Sequence, residues 1–411
     1  MGGTKSDVDV LIVGAGQAGA QTAISLRKGN FAGSIMLVGE EADAPYDRTA
    51  LSKDYLANEK HLAEILLLSS DFWLARDVEL RLGTRISAVD ARAHVASSQW
   101  GDVIHYRHLV WAAGGNPRPL PVAGADLRGI HVIRTREQVD QLRHEVRGAA
   151  SIVVVGGGYI GLEAAAVLSK SGKRVTILEA QDRVLARVVA EPISRFYEAE
   201  HRARGVVIRT GVAVAAFGGK NGRVGYVDLA DGERCQADLV IVAIGLVPHQ
   251  AVLAEAGAEC GDGIRVDEFC RTTLPDIFAV GDGASHANPF AAGARVRLES
   301  VQNAVDQAKV VARSLLDTPE PYRALPWFWS NQYDLKLQTA GLNHGHDETV
   351  LRGVPASRSF SLVYLRRGQF IAIDCVNSVR DFTAGKLLVE RGSTPDRKML
   401  ADPSVPLKTL L

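Results

Sequence analysis

The stretch Val10-Leu11-Ile12-Val13-Gly14-Ala15-Gly16-Gln17-Ala18-Gly19 decides the fold. Four consecutive apolar residues, three of them β-branched, suit a parallel strand buried on both faces. Glycines at Gly-x-Gly-x-x-Gly spacing follow, and a small-residue helix opens from them. A dinucleotide pyrophosphate needs backbone N–H donors at close range and a helix N-terminus aimed at its negative charge. Glycine permits that approach by removing side-chain bulk. Alone, such a turn is weak evidence, because it can serve packing only.

This turn does not stand alone. Val8 to Glu40 and Ser151 to Glu179 share one grammar of apolar strand, glycine turn, small-residue helix, apolar strand and acidic end. In the second copy Ile152-Val153-Val154-Val155 runs into Gly156-Gly157-Gly158-Tyr159-Ile160-Gly161, and the helix continues through Leu162-Glu163-Ala164. Glu40 lies 26 residues beyond Gly14, and Glu179 lies 23 beyond Gly156. A carboxylate at that offset accepts hydrogen bonds from ribose hydroxyls and repels a 2′-phosphate, so Glu179 favours NADH over NADPH. Arg183 nearby argues the other way. The bland reading of either glutamate, an exposed charge at a strand end, is weakened by its occurring twice at the right distance.

Each copy has a returning strand, Leu109 to Gly114 and Leu239 to Gly245, with proline beyond it at Pro117, Pro119 and Pro248. These mark chain crossings near 118 and 246, so the second unit reads as inserted into the first. Ile277-Phe278-Ala279-Val280-Gly281-Asp282 reads as a further buried strand of the first domain, and a helix is expected from about Ser300 to Leu316. After Pro319 and Pro321, strands are expected at Leu335–Leu342, Glu348–Arg352 and Phe360–Asn377, with Arg367-Gly368 as a hairpin turn. A helix from about Asp381 to Arg391 ends that region. The expected fold is therefore α/β, with two dinucleotide-binding domains and a small C-terminal α+β domain. The spans are 1–118 with 246–322, 119–245, and 323–411.

Composition narrows the function classes. At 411 residues the chain is too long for one core. Lysine plus arginine balances aspartate plus glutamate, 47 against 47, so no global field draws nucleic acid or an anionic membrane. Cys235, Cys260, Cys270 and Cys375 are scattered and form no Cys-x-x-Cys pair, which suits a reducing cytoplasm and excludes a metal knuckle. No apolar run approaches a membrane span, and no secretory signal is read ahead of the first strand. Met1-Gly2 with Ser6 formally fits a myristoylation pattern, but the match rests on very few positions.

Two nucleotide sites in one chain suit a resident carrier and a diffusing one, with electrons handed between them. Thr272-Thr273-Leu274-Pro275-Asp276-Ile277-Phe278-Ala279-Val280-Gly281-Asp282 places Asp282 just past a buried strand, where a carboxylate can hold ribitol hydroxyls. That assigns FAD to the first domain and NADH to the second. With Pro45-Tyr46-Asp47-Arg48, Leu51-Ser52-Lys53, Glu299-Ser300-Val301, Asn303-Ala304, Pro326-Trp327-Phe328-Trp329-Ser330 and Ser404-Val405-Pro406-Leu407-Lys408, the chain resembles a known family over essentially its whole length. The family is that of the FAD-dependent, NADH-utilising ferredoxin reductases of bacterial oxygenase systems, which serve P450s and aromatic-ring dioxygenases.

The resemblance implies FAD contacts at Ala18, Glu40, Lys53, Ile86, Arg134, Asp282 and Val301, with Arg48 and Trp329 as neighbours. Gly14, Gly16 and Gly19 form the FAD turn, and Ala112 and Gly114 close the returning strand beside it. For NADH the set is Gly156, Gly158, Tyr159, Ile160, Gly161, Glu163, Glu179 and Gly245. Lys53 and Glu163 match a lysine–glutamate pair that the family places beside the reactive edge of the flavin. Without that kinship, Glu163 would read as a solvent-facing helix charge and Lys53 as a surface lysine. Ala113 stands where relatives carry threonine, and Thr49-Ala50 where proline often follows the arginine.

Hydride transfer between nicotinamide and flavin needs stacking and exclusion of water rather than a protein nucleophile. The expected acceptor is a small, acidic [2Fe–2S] ferredoxin, steered by basic groups for which Lys309 and Lys408 are the candidates. Two alternatives share the architecture. A disulfide or peroxide reductase needs a redox cysteine beside the flavin, yet none precedes Cys235. A non-catalytic flavoprotein like the apoptosis-inducing relatives fits poorly with zero net charge.

Overall fold

The computed structural model describes residues 5–411; the Met1-Gly2 start of the acylation pattern lies outside them. The chain divides into two compact units. Among the described residues, one comprises 5–48, 61–116 and 247–326, the other 49–60, 117–246 and 327–411.

In the first unit the apolar run becomes the middle of a sheet. The strand Lys5–Val13 pairs in parallel with Ile35–Val38 on one side and Val103–Trp111 on the other. Val10, Leu11 and Ile12 are wholly buried, as a strand covered on both faces requires. Val78–Arg81 extends one edge in parallel, while Ile277–Ala279 lies parallel to the end of Val103–Trp111. Ile86–Asp90 and Val95–Ser98 add an antiparallel pair on the same side. The helices Gln17–Lys28 and Val301–Leu315 pack together, and alanines at Ala20, Ala23 and Ala304 keep their contact close.

The second unit repeats the plan. Its parallel sheet runs in the order Val207–Arg209, Arg174–Leu178, Ser151–Val155, Leu239–Val242, Ile130–His131. Val214–Lys220, Arg223–Leu229 and Arg234–Gln236 form a separate three-stranded antiparallel sheet, not anticipated from the sequence. A five-stranded antiparallel sheet follows in the order Trp327–Gln332, Leu335–Gly341, Gln369–Val376, Ser359–Arg366, Glu348–Val354. The expected span Phe360–Asn377 thus divides into two strands at Arg367 and Gly368, both with positive φ, as a two-residue turn of right-handed strands demands. The edge strand of this sheet, Trp327–Gln332, coincides with the tryptophan-rich motif, for which the sequence alone predicts no strand. Helix Val379–Arg391 lies on this sheet, and Gly385 allows the approach: a Cβ there would sit 2.7 Å from Ile373 Cγ2.

Residues 49–60 group with the second unit, inside the span 1–118 expected to be continuous. Side-chain contacts account for this: Tyr55 donates to Asp140 at 2.7 Å, and Lys53 reaches Glu163. At the C-terminal end the buried Arg352 fastens the tail, donating to the carbonyls of Leu400 (3.2 Å) and Val405 (2.7 Å) and to Asp381 (2.9 Å). No helix among the described residues is long and apolar enough to cross a membrane.

Candidate functional site

The two glycine turns have nearly the same geometry. Gly14 has φ +114°, and a Cβ on it would lie 2.3 Å from the Ala112 carbonyl oxygen; Gly156 has φ +108°, with Ala243 oxygen at 2.3 Å. Gly19 and Gly161 press their helices onto the turns, for a Cβ would fall 1.9 Å from Gly14 oxygen and 2.1 Å from Gly156 oxygen. The middle glycines differ in kind. A Cβ on Gly158 would meet nothing within 4 Å, and one on Gly16 only Arg48 Nε at 3.9 Å. Each of these two residues caps a helix that has no acidic residue in its first turn, so the helix dipole and free N–H groups face open space.

Around the first turn the fold gathers several of the expected FAD residues. Ala18 Cβ lies 3.0 Å from where a Cβ on Gly281 would be, and Gly114 oxygen lies 3.2 Å from the same point on Gly283, so Asp282 sits between them over the turn. Gln307 accepts the Gly281 N–H at 2.7 Å, fixing the Asp282 segment to the helix Val301–Leu315, which Ser300 caps. Glu40 is exposed and follows Gly39, which packs on Ala15. Ile86 is buried in the core beside Val13 and Val38.

Arg48 has partners that the sequence reading missed. It ion-pairs with Glu41 and donates to Tyr46 Oη at 2.9 Å, while Tyr46 itself donates to Glu41. Asp282 adds its field. This orders a guanidinium next to Gly16, where a phosphate would want it.

Around the second turn, Glu179 accepts from Gly157 N–H and Gln181 N–H, both at 2.7 Å. Arg183, the residue that argued for NADPH, instead donates to the carbonyls of Val189 (2.9 Å) and Ala186 (3.0 Å). Tyr159 stacks on Phe328 with centroids 4.5 Å apart, and its hydroxyl is pushed well above its ordinary pKa by burial. Ile160 is 46% exposed. Gly245 has φ +108° with open space around it, and its carbonyl takes Arg118 N–H at 2.8 Å. Arg134 lies in the loop ahead of helix Arg136–Val146, which Thr135 caps. Trp329 lies against Trp327.

Glu163 is not a solvent-facing helix charge. It is 3% exposed, and three donors meet its carboxylate: Ser52 Oγ (2.6 Å) and Lys53 Nζ (2.7 Å) at Oε2, and Ser330 Oγ (2.6 Å) at Oε1. Ser52 and Ser330 were not singled out as site residues. A buried carboxylate is tolerated only with such pairing.

Residues 8–308 match the family model described as pyridine nucleotide-disulphide oxidoreductase, and residues 327–411 that described as reductase C-terminal. A ferredoxin–NAD(P)(+) reductase of Sphingomonas sp is 49% identical, covering 99% of both chains. This chain belongs to the ferredoxin reductases of that family. A 5,5′-dehydrodivanillate O-demethylase ferredoxin reductase subunit of Sphingobium sp. (strain NBRC 103272 / SYK-6) is 51% identical over 98% of each. Among solved structures, a covalent putidaredoxin reductase–putidaredoxin complex superposes with TM-score 0.95 at 38% identity, covering 98% of both chains. Ferredoxin reductases of this family use FAD and NAD(H). The turns fit such groups: Gly158 and Gly16 leave a cradle that a side chain would fill, above helix N-termini that want an anion.

Proposed function

We propose that this reductase passes electrons from NADH through FAD to a [2Fe–2S] ferredoxin that supplies a P450 or Rieske-type oxygenase. The observation that carries this reading is the end-to-end likeness to ferredoxin reductases, residues 327–411 included, in a chain with no cysteine before Cys235. The same absence disfavours a disulfide or peroxide reductase. FAD, when bound, supplies the chemistry, accepting a hydride and releasing electrons singly.

The chain's residues bind, orient and neutralise. Gly14, Gly16 and Gly19, with Arg48, hold the FAD pyrophosphate, and Asp282, Ala18, Gly114 and Val301 border it. Glu40 takes the adenosine ribose, and Ala112, Ile86, Arg134 and Trp329 complete the contact set by kinship. Gly156, Gly158 and Gly161 hold the NADH pyrophosphate, Tyr159, Ile160 and Gly245 flank it, and Glu179 takes the ribose. With Arg183 occupied by backbone carbonyls, NADH is preferred over NADPH. Lys53 and Glu163 set a fixed charge pair by the reacting rings. The three-domain division 1–118 with 246–322, 119–245 and 323–411 belongs to this reading.

For docking, Lys309 is already paired with Asp306 at 2.9 Å, whereas Lys408 is exposed and has no ion pair among the described residues. Lys408 is the stronger candidate for steering an acidic ferredoxin. Rapid mixing tests the whole reading. Anaerobic NADH should bleach the bound flavin, and a [2Fe–2S] ferredoxin should accelerate its reoxidation. Bleaching without acceleration by any such ferredoxin would refute the acceptor, and no bleaching would refute the donor.

A further inference from the structure

The Ser330 hydroxyl that holds Glu163 is itself the end of a buried chain of hydrogen bonds. Having given its proton to Glu163 Oε1, Ser330 Oγ must accept, and Gln332 Nε2 donates to it at 3.2 Å. The amide is then oriented with Oε1 toward His201 Nε2, 2.9 Å away, so that ring nitrogen must carry the proton. Nδ1 is left as an acceptor and meets Tyr333 Oη at 3.2 Å, which Ser169 Oγ reaches at 2.9 Å. Ser330, Gln332 and His201 are wholly buried. From Tyr333 through His201 and Gln332 to Ser330, the donors point toward the carboxylate.

The series ties three elements to one another. It leaves helix Tyr159–Lys170 at Glu163, crosses strand Trp327–Gln332 and helix Glu191–Ala203, and returns to the first helix at Ser169. A neutral imidazole with one defined tautomer donates at one end and accepts at the other, as the series needs at this position. Burial supports neutrality, holding the His201 pKa down near 4.

We propose that His201 is a positioning residue for electron transfer, which acts through Gln332 and Ser330 to hold the Glu163 carboxylate in register with Lys53. The proposal rests on the reading that the Lys53–Glu163 pair serves the bound rings. It does not rest on His201 touching either nucleotide.

The first test needs no catalysis. In the full-length holoprotein labelled with 15N-histidine, His201 should show a protonated Nε2 and a bare Nδ1 at pH 7, and Gln332→Leu should abolish that preference. A His201 signal of the other tautomer, or an imidazolium, would overturn the proposal. The second test is stopped-flow bleaching of the flavin by NADH. His201→Phe should lower the limiting rate about tenfold or more, with the NADH concentration at half-maximal rate changed less than about twofold. His201→Gln, which keeps a donor and an acceptor, should recover most of the rate. Ser330→Ala should resemble His201→Phe. Rates unaltered in His201→Phe, or no recovery in His201→Gln, would overturn the proposal. Glu163→Gln separates the two levels: if it too leaves the rate unaltered, the role of the charge pair fails; if it slows bleaching while His201→Phe does not, only His201 is excluded.

Discussion

Glu179 and Gly157 are joined by a 2.7 Å hydrogen bond, the glycine N–H donating to the carboxylate at the mouth of the second turn. The same carboxylate takes Gln181 N–H, so it is fixed by backbone and its remaining lone pairs are available to ribose hydroxyls. Replacing Glu179 with alanine removes that acceptor pair and the repulsion of a 2′-phosphate together. The expected result is a fall in kcat/KM for NADH of about tenfold to a hundredfold, equivalent to about 1.4–2.7 kcal/mol, while NADPH loses less. Steady-state assays with both nucleotides check this. An unaltered NADH-to-NADPH ratio would remove Glu179 from the ribose site.

The two glycines that look alike in the second turn should respond oppositely to alanine. At Gly156 the backbone sits at φ +108° and a methyl would lie 2.3 Å from Ala243 oxygen, so Gly156→Ala should fold poorly or melt several degrees lower. At Gly158 the methyl meets no protein atom within 4 Å. Gly158→Ala should therefore fold normally and retain FAD, yet show an NADH KM raised about tenfold or more, because the methyl takes the space of the pyrophosphate. Melting curves, flavin content and KM on both variants separate the roles. Equal melting losses would mean that Gly158 serves packing.

Local pattern made the turns legible, and distance in the chain hid the rest. Strand Val10–Val13 and Gly14 announce themselves within ten residues, because burial on both faces and a positive φ leave local signatures. Glu163 does not. Its partners Ser52, Lys53 and Ser330 lie 111, 110 and 167 residues away, so a glutamate in an alanine-rich helix looks solvent-facing until the chain is folded. Glu41 and Tyr46 were near Arg48 in sequence and could have been suspected from their spacing. The sheet spanning Val214–Gln236 escaped because glycines at Gly218 and Gly219 and irregular register interrupt its alternation.

Glu163 and Lys53 should be strongly coupled in stability. Lys53→Met leaves a carboxylate at 3% exposure without its cation, and breaking a buried pair from one side costs about 3–5 kcal/mol, somewhat less here because the lysine side chain is 16% exposed. Glu163→Gln keeps hydrogen-bonding atoms for Ser52 and Ser330 and should cost less. In the double variant the two losses should not add: the holoprotein should melt above Lys53→Met alone. Additive losses in thermal unfolding would show the pair to be energetically separate.

Asp374 gives a pH dependence of definite sign. It is wholly buried, and loss of hydration raises its pKa to about 6, against the opposing pull of hydrogen bonds from Thr339 and Tyr364. Unfolded, the same carboxyl titrates near 3.9. Between those values the folded protein binds the extra proton, so stability falls as pH rises: the contribution is complete below about 3.9 and gone above about 6. His201 and His286, whose pKa values burial lowers to about 4, act in the opposite sense over the same range, since their unfolded forms protonate first as pH falls. The whole-protein profile therefore mixes both slopes, and the useful quantity is the difference between wild type and Asp374→Asn, which lacks only the carboxyl titration. From pH 4.5 to pH 7.5 the wild type should lose about 2 kcal/mol relative to the variant. Urea unfolding of both at the two pH values measures it, and a difference independent of pH would mean that Asp374 is ionised in the folded protein throughout.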